Sequence, residues 1–253
     1  MYRYAFLLFL LLCTSLAAAQ TAAADASAVV SISAEMLAGE NLTFRPQKDS
    51  TRTVYQDLVY DGEDIAVFIV AIGTGITNEF SGFPLEEFIY WINGKAWVEP
   101  DKAAPFAVHA GDYFIQAKGF NGKWNFVENG GLHLELALIA KNRPDSTVTS
   151  PISRAMVIDR DIISGVNAQA QYALYRGAEI DVNVIRQVTQ VTAQQRERLL
   201  HVLAGVLTAK DKAGNVQHYY PGDFLVVPAG NQNEWSSNSL QQLRLLEVYK
   251  ADY

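Results

Sequence analysis

The sequence predicts an all-β protein built as two tandem barrels. Three observations carry this: the chain repeats itself, it is written in short β-branched and aromatic runs, and Gly, Asn, Asp and Pro separate those runs. The repeat is plainest in "GDYFIQAKGFNGKW" (Gly111 to Trp124) and "GDFLVVPAGNQNEW" (Gly222 to Trp235). At the same spacing of 111 residues, "EFIYWINGKAWV" from Glu87 falls on "RLLHVLAGVLTA" from Arg198 without a gap, and Gly94 meets Gly205. Further upstream, "GEDIAVFIVAIGT" from Gly62 meets "GAEIDVNVIRQVT" from Gly177, now 115 residues on, so one connecting loop differs in length. A sustained offset with matched glycines is an internal duplication.

Each half supplies its own strands. "DIAVFIVAI", "EFIYWI", "KAWVEP", "DYFIQA" and "LHLELALIA" lie in the first half. "EIDVNVIRQVTQV", "LLHVLAGVLTAKD", "QHYY", "DFLVVPA" and "LRLLEVYKA" lie in the second. Their residues favour a pleated, half-buried surface, and many short strands with regular turns indicate a sandwich or barrel. "INGK" at Ile92 and "DKAG" at Asp211 read as hairpin turns. Asp112 and Asp223, next to their glycines, read as turn-capping residues. Helical signal is confined to "SAEMLAG" from Ser33 and "AQQRERLL" from Ala193, and the end of the latter coincides with a strand of the other half. The polar stretch "RPDSTVTS" (Arg143 to Ser150) divides the halves. The expected organisation is a signal peptide at 1–19, an N-terminal extension at 20–50 packed across a barrel, a first barrel at 51–145 and a second at 146–253.

Composition limits the function. With 49% hydrophobic and 11% aromatic residues the chain can fill a core. The net charge of −7 argues against nucleic acid or an anionic membrane as a general partner, because binding phosphate needs a basic surface. Arg3, the apolar run Ala5 to Leu12 and the small residues Ala17-Ala18-Ala19 have the layout of a secretory signal. Export to the periplasm or the outside, with cleavage near Ala19, is therefore expected. Cleavage removes Cys13, the single cysteine, so neither disulfide nor thiol chemistry is expected, and losing Arg3 takes the charge to −8. "NLT" at Asn41 matches a glycosylation sequon.

The glycine spacing resembles the cupin superfamily, the small jelly-roll (double-stranded β-helix) barrels. Glu87 and Gly94 match the Glu-x6-Gly part of its first motif. Gly222, Pro228 and Gly230 match its second motif; in the first half that motif has Ala117 in place of Pro. With "GFNGKW", the pattern is most similar to the subgroup holding ureidoglycine aminohydrolase-type and ethanolamine-utilisation-type cupins. A duplicated cupin is a bicupin, and the resemblance implies that a homodimer is plausible. In metal-binding cupins three His and one Glu converge inside the barrel. Here the stretch before Glu87 has no histidine and the last His position is Gly122. In the second half the Glu position is Arg198 and the last His position is Asn233. No metal and no cofactor are therefore expected.

Strand alternation places the candidate site. If Glu87 points inward, so do Ile89 and Trp91; by the repeat, Arg198, Leu200 and Val202 do too, and His201 faces out. Trp124 shares parity with Gly122. In the first barrel, Glu87 with Trp91 and Trp124 suits a small polar ligand, since aromatic faces stack on sugars or hold cations. Apolar walls would lift the Glu87 pKa toward the acid–base range. The simpler alternative is that Trp91 and Trp97 merely fill the barrel. In the second barrel, Arg198, Asn233 and Trp235 are the equivalents. Arg with Asn suits a carboxylate; alternatively Arg198 pairs with an internal acid, Glu179 or Glu247. The favoured expectation is a metal-free bicupin binding a sugar, amine or organic acid in its first barrel. The alternatives are an enzyme of the cupin type, either an aminohydrolase or a metal-free isomerase or lyase using Glu87 as its catalytic base, and a structural or assembly protein.

Overall fold

The computed structural model describes residues 28–46, 53–142, 156–158, 163, 171–193, 195–237, 240 and 242–252. The expected signal peptide and the polar divide at 143–150 lie outside them. Strand β1 (Val30–Ile32) and helix α1 (Ala34–Leu37) come first. The first barrel contributes β2 (Val54–Asp61), β3 (Ile65–Gly73), β4 (Thr77–Ser81), β5 (Glu87–Asn93), β6 (Lys95–Pro100), β7 (Phe106–His109), β8 (Tyr113–Gln116), β9 (Asn121–Phe126) and β10 (Leu132–Ala140). After β11 (Met156–Ile158), the second contributes β12 (Gln171–Arg176), β13 (Ile180–Ile185), helix α2 (Val188–Ala193), β14 (Arg198–Ala204), β15 (Leu207–Lys210), β16 (Val216–Tyr219), β17 (Phe224–Val227), β18 (Glu234–Ser236) and β19 (Arg244–Lys250). Ser33 caps α1 by accepting from the Met36 N–H at 3.2 Å.

Each barrel sets a six-stranded sheet against a smaller one. In the first, β11-β8-β5-β10-β3-β2 faces β4-β9-β6-β7. In the second, β1-β17-β14-β19-β13-β12 faces β16-β15-β18. The two large sheets also pack on each other. Their outer faces share one core, in which Phe88, Ile115 and Leu136 of one barrel meet Leu199, Val226 and Leu246 of the other. Their inner faces line separate barrel interiors. Both faces of these sheets are buried, which is why β3 and β10 are nearly continuous apolar runs.

The repeat is visible in the backbone. Gly94 and Gly205 have φ of 94° and 75°, Gly111 and Gly222 83° and 102°, Gly119 and Gly230 82° and 70°. These left-handed values favour glycine. Asp112 Oδ2 accepts from the His109 N–H at 2.7 Å, and Asp223 Oδ2 from the Tyr220 N–H at 2.7 Å. One expectation fails. "INGK" is not a hairpin: β5 pairs with β8 and β10, while β6 pairs with β7 and β9. The left-handed Gly94 turns the chain out of one sheet into the facing one. "DKAG" does join the antiparallel pair β15 and β16.

The halves exchange strands. β1, from the N-terminal extension, pairs with β17 of the second barrel, and β11 pairs with β8 of the first. The registers correspond: Ile32 opposes Phe224 and Ile158 opposes Tyr113. Two carboxylates reinforce the exchange. Glu86, just before β5, accepts the N–H groups of Ala178, Glu179 and Ile180 at 2.8–3.1 Å and the Tyr175 hydroxyl at 2.7 Å. Glu197, just before β14, accepts those of Glu63, Asp64 and Ile65 at 2.8–3.0 Å. A Cβ on Gly177 would land on the Glu86 carboxylate, and one on Gly62 on that of Glu197. These glycines match across the repeat because a carboxylate must lie against the backbone there.

Where the sheets meet, Tyr90 and Tyr113 pack against His201 and Phe224. The His201 and Phe224 rings stack at 3.8 Å, and the Tyr113 hydroxyl is 2.8 Å from His201 Nδ1. Burial pushes the His201 pKa down to about 3, so the ring is neutral in this interface.

Removing the Glu86 carboxylate leaves three backbone donors and a buried hydroxyl without it. Glu86→Ala is expected to cost about 3 kcal/mol or more, and Gly177→Ala about 1–3 kcal/mol through overpacking. Denaturant unfolding of both variants checks this; a loss under about 0.5 kcal/mol in each would contradict the clamp.

Candidate functional site

The interior of the first barrel has a polar end, an aromatic middle and a second polar end. On β5, Glu87, Ile89 and Trp91 point inward, while Phe88 and Tyr90 face the other barrel. Four residues of strand span about 13 Å, so Glu87 and Trp91 mark opposite ends. Trp97, expected as a barrel filler, is 45% exposed: its neighbours Ala96 and Val98 take the inward places, and Lys95 Nζ sits 5.0 Å from its ring.

The Glu87 end is set by the pairing of β5 with β8, which puts Gln116 opposite Glu87. Gln116 is fully buried, and among the described residues neither its amide oxygen nor its amide nitrogen has a hydrogen-bond partner. Glu87 is half-buried. Burial, and secondarily the charge of Glu135, push its carboxyl up to about 8. The same barrel interior holds a cluster of rings: Phe80 lies 5.5 Å from Phe83, 5.9 Å from Phe120 and 5.2 Å from Trp124.

Trp124 and Asn78 sit in the middle layer as cross-strand partners. Asn78 Oδ1 and the indole nitrogens of Trp124 and Trp91 are buried without hydrogen-bond partners among the described residues. The two indole rings are 6.0 Å apart.

At the far end, His133 and Glu135 point inward from β10. His133 Nδ1 lies 2.9 Å from the Asn93 carbonyl oxygen, and Nε2 lies 2.6 Å from Glu135 Oε2. A carbonyl only accepts, so Nδ1 carries a hydrogen. Nε2 and the Glu135 carboxylate then face each other across one short hydrogen bond.

A metal centre of the cupin kind does not fit these residues. Both ring nitrogens of His133 are engaged. A Cβ on Gly122, the vacant histidine position, would land on the Glu99 carbonyl oxygen and the Phe120 ring. Among the described residues no group of three or more His, Cys, Asp or Glu is arranged to hold a metal ion.

The second barrel is different. Arg198 points inward and is 1% exposed. Its Nη1 is 3.5 Å from Glu247 Oε1, and its Nη2 donates to the Val191 carbonyl. Glu247 Oε2 also accepts from Asn183 at 3.3 Å. Of the two acids expected for Arg198, Glu247 is the partner; Glu179 instead binds Lys118 Nζ at 2.6 Å. Asn233 lies in a turn where its N–H donates to Asn231 Oδ1 at 3.2 Å, and Arg198 makes no hydrogen bond to it. Trp235 packs half-buried against the barrel core. The Arg198–Asn233 pairing suggested by the repeat does not form, because Glu247 already neutralises the guanidinium.

Comparison with known proteins agrees with this geometry. Residues 66–129 match the family model described as the EutQ-like cupin domain. The chain has the bicupin fold. A putative glyoxylate-induced protein from Pseudomonas aeruginosa superposes with TM-score 0.60 at 13% identity, over 94% of this chain and 92% of its own. A DUF861-family protein of unknown function from Pseudomonas syringae gives 0.58 at 13%, over 88% and 99%. A cupin 2 conserved barrel domain protein from Leptotrichia buccalis gives 0.53 at 11%, over 81% and 91%. These identities establish fold alone. No curated protein matches the sequence.

Gln116, Asn78, His133 and Glu135 were not singled out from the sequence. The alternation in "LHLELALIA" carries the signal for two of them: His133, Glu135 and Ala137 share one face. Gln116 shares parity with the inward Phe114.

Glu87 makes stability depend on pH. Its folded pKa of about 8 stands above the ordinary 4.5. Between those values the folded chain keeps a proton that the unfolded chain releases, so stability is complete at low pH and falls as pH rises through the window. The melting temperature of wild type is expected to drop relative to Glu87→Gln between pH 5 and 8. An offset that stays constant across this range would contradict a neutral buried carboxyl.

Proposed function

We propose that this bicupin is exported and binds a small polar ligand (a sugar, amine or organic acid) at the Glu87 end of its first barrel. The observation that carries this is Gln116. A fully buried amide with both ends unpaired is costly. Leucine at that position would remove the cost. A site that keeps an amide there, opposite the Glu87 carboxyl, is suited to receive the polar groups of a ligand. Phe80, Phe120 and Trp124 supply ring faces for the ligand's carbon skeleton. Export rests on the sequence of residues 1–19. A second reading is favoured by the Glu87 carboxyl, whose pKa near 8 suits a general acid or base at neutral pH; in that case the bound ligand is also a substrate.

Gln116→Leu separates a binding site from a packing defect. The variant is expected to melt above wild type without ligand, because two unpaired polar atoms are gone. It is also expected to lose the rise in melting temperature that wild type gains from a ligand, which amounts to about 2.7 kcal/mol at a hundredfold excess over Kd. Thermal melting against millimolar sugars, amines and organic acids checks both. If no compound raises the melting temperature of wild type, the ligand reading falls and the structural role gains.

A further inference from the structure

We infer that the ligand of the first barrel is a small organic cation, taken up at Glu87 in exchange for that residue's proton; the inference rests on the binding reading above and narrows it to one charge class.

The charges facing the interior decide the class. Among the described residues, the titratable side chains facing in are Glu87 from β5 and His133 and Glu135 from β10. Next to Glu87, β8 contributes Gln116 and Phe114. β3 and the facing sheet contribute apolar and aromatic residues and Asn78. Of the described lysines of this half, Lys118 is engaged with Glu179, Lys123 with Glu79, Lys141 with Asp61, and Lys95 over Trp97. Lys102 is exposed in a loop. Arg45 donates to the Gln56 carbonyl.

Glu135 is tied to His133 by a 2.6 Å hydrogen bond, and both ring nitrogens of His133 are engaged. Among the described residues the interior therefore offers carboxylates and no lysine or arginine. An anion entering here meets carboxylates of its own sign. A neutral ligand gains hydrogen bonds with Gln116 but no Coulomb attraction. A cation gains both. Gln116 Oε1 and the Glu87 carboxylate accept its N–H bonds, and the interior rings Phe80, Phe120 and Trp124 supply the aromatic surroundings that favour a cation. Proton balance is simple. The protonated Glu87 and the ammonium enter, the carboxylate–ammonium pair remains, and one proton leaves to water.

The second barrel offers the contrast. Its carboxylate, Glu247, has Arg198 beside it, so an incoming cation there meets a charge already cancelled.

The test uses the full chain and three probes of similar size: methylammonium, acetamide and acetate. Titration calorimetry is run from pH 6 to 8 in buffers of different ionisation enthalpy. Methylammonium is expected to bind with about one proton released at pH 6 and about half a proton at pH 8, and its Kd is expected to fall about tenfold from pH 6 to 7 and about fivefold from pH 7 to 8. Glu87→Gln is expected to lose this binding, with folding verified by its melting temperature at pH 5. Glu87→Asp, which keeps the charge on a shorter arm, is expected to bind more weakly with the proton still released. Binding of acetamide or acetate in preference to methylammonium overturns the cation inference and leaves the ligand site standing. Methylammonium binding without proton release overturns the exchange. Failure of all three probes, together with failure of the wider melting screen, removes the ligand reading as well.

Discussion

The structure depends on a carboxylate meeting a row of backbone N–H groups across the boundary between the two barrels. Glu86 holds the turn at Ala178–Ile180, and Glu197 holds the turn at Glu63–Ile65. Each turn opens a central strand of one barrel, and each acid precedes a central strand of the other. The donors would otherwise be left without partners at a closed interface, where unpaired N–H groups are costly. The clamp fixes where the large sheets stop relative to each other. It also requires Gly62 and Gly177, since a side chain there would displace the acid.

Strand exchange follows from the same symmetry. A barrel of this size leaves an open edge on its large sheet, and an open edge is a liability. β1 closes part of the second barrel's edge and β11 part of the first's. Neither half is therefore complete with its own strands alone, and the shared core between the sheets makes them one folding unit in energetic terms. The neutral, stacked His201 belongs to that core: a charged imidazole against Phe224 and two tyrosines would be expensive to bury.

The two interiors handle their buried charges differently. In the second barrel an arginine stands beside a carboxylate, and the pair cancels. In the first, a histidine and a carboxylate are joined by a 2.6 Å hydrogen bond at the inner end, and burial, with the charge of Glu135, pushes the Glu87 carboxyl at the other end up to about 8. The unpaired amide of Gln116 stands directly opposite it.

Much of the fold was written in the chain. The 111-residue repeat fixed two copies of one barrel because the left-handed turns at Gly94, Gly111 and Gly119 recur at Gly205, Gly222 and Gly230, and a backbone conformation that disfavours side chains leaves its mark in residue type. Strand parity placed Glu87, Trp91 and Arg198 inside and His201 outside, because a strand's side-chain period is two whatever it pairs with. Sheet membership was not legible: "INGK" looks like a hairpin, and only the pairing of β5 and β6 with different partners makes it a corner. The strand exchange was not legible either, since pairing across more than a hundred residues leaves no local pattern. Nor was the site complete, because Gln116 and the His133–Glu135 pair acquire meaning from what stands beside them. Sequence alone determined the number of barrels and which residues face in. Tertiary structure decided which inward groups meet, and hence which of them are neutralised and which are left unpaired, because hydrogen bonds and desolvation are set by neighbours in space.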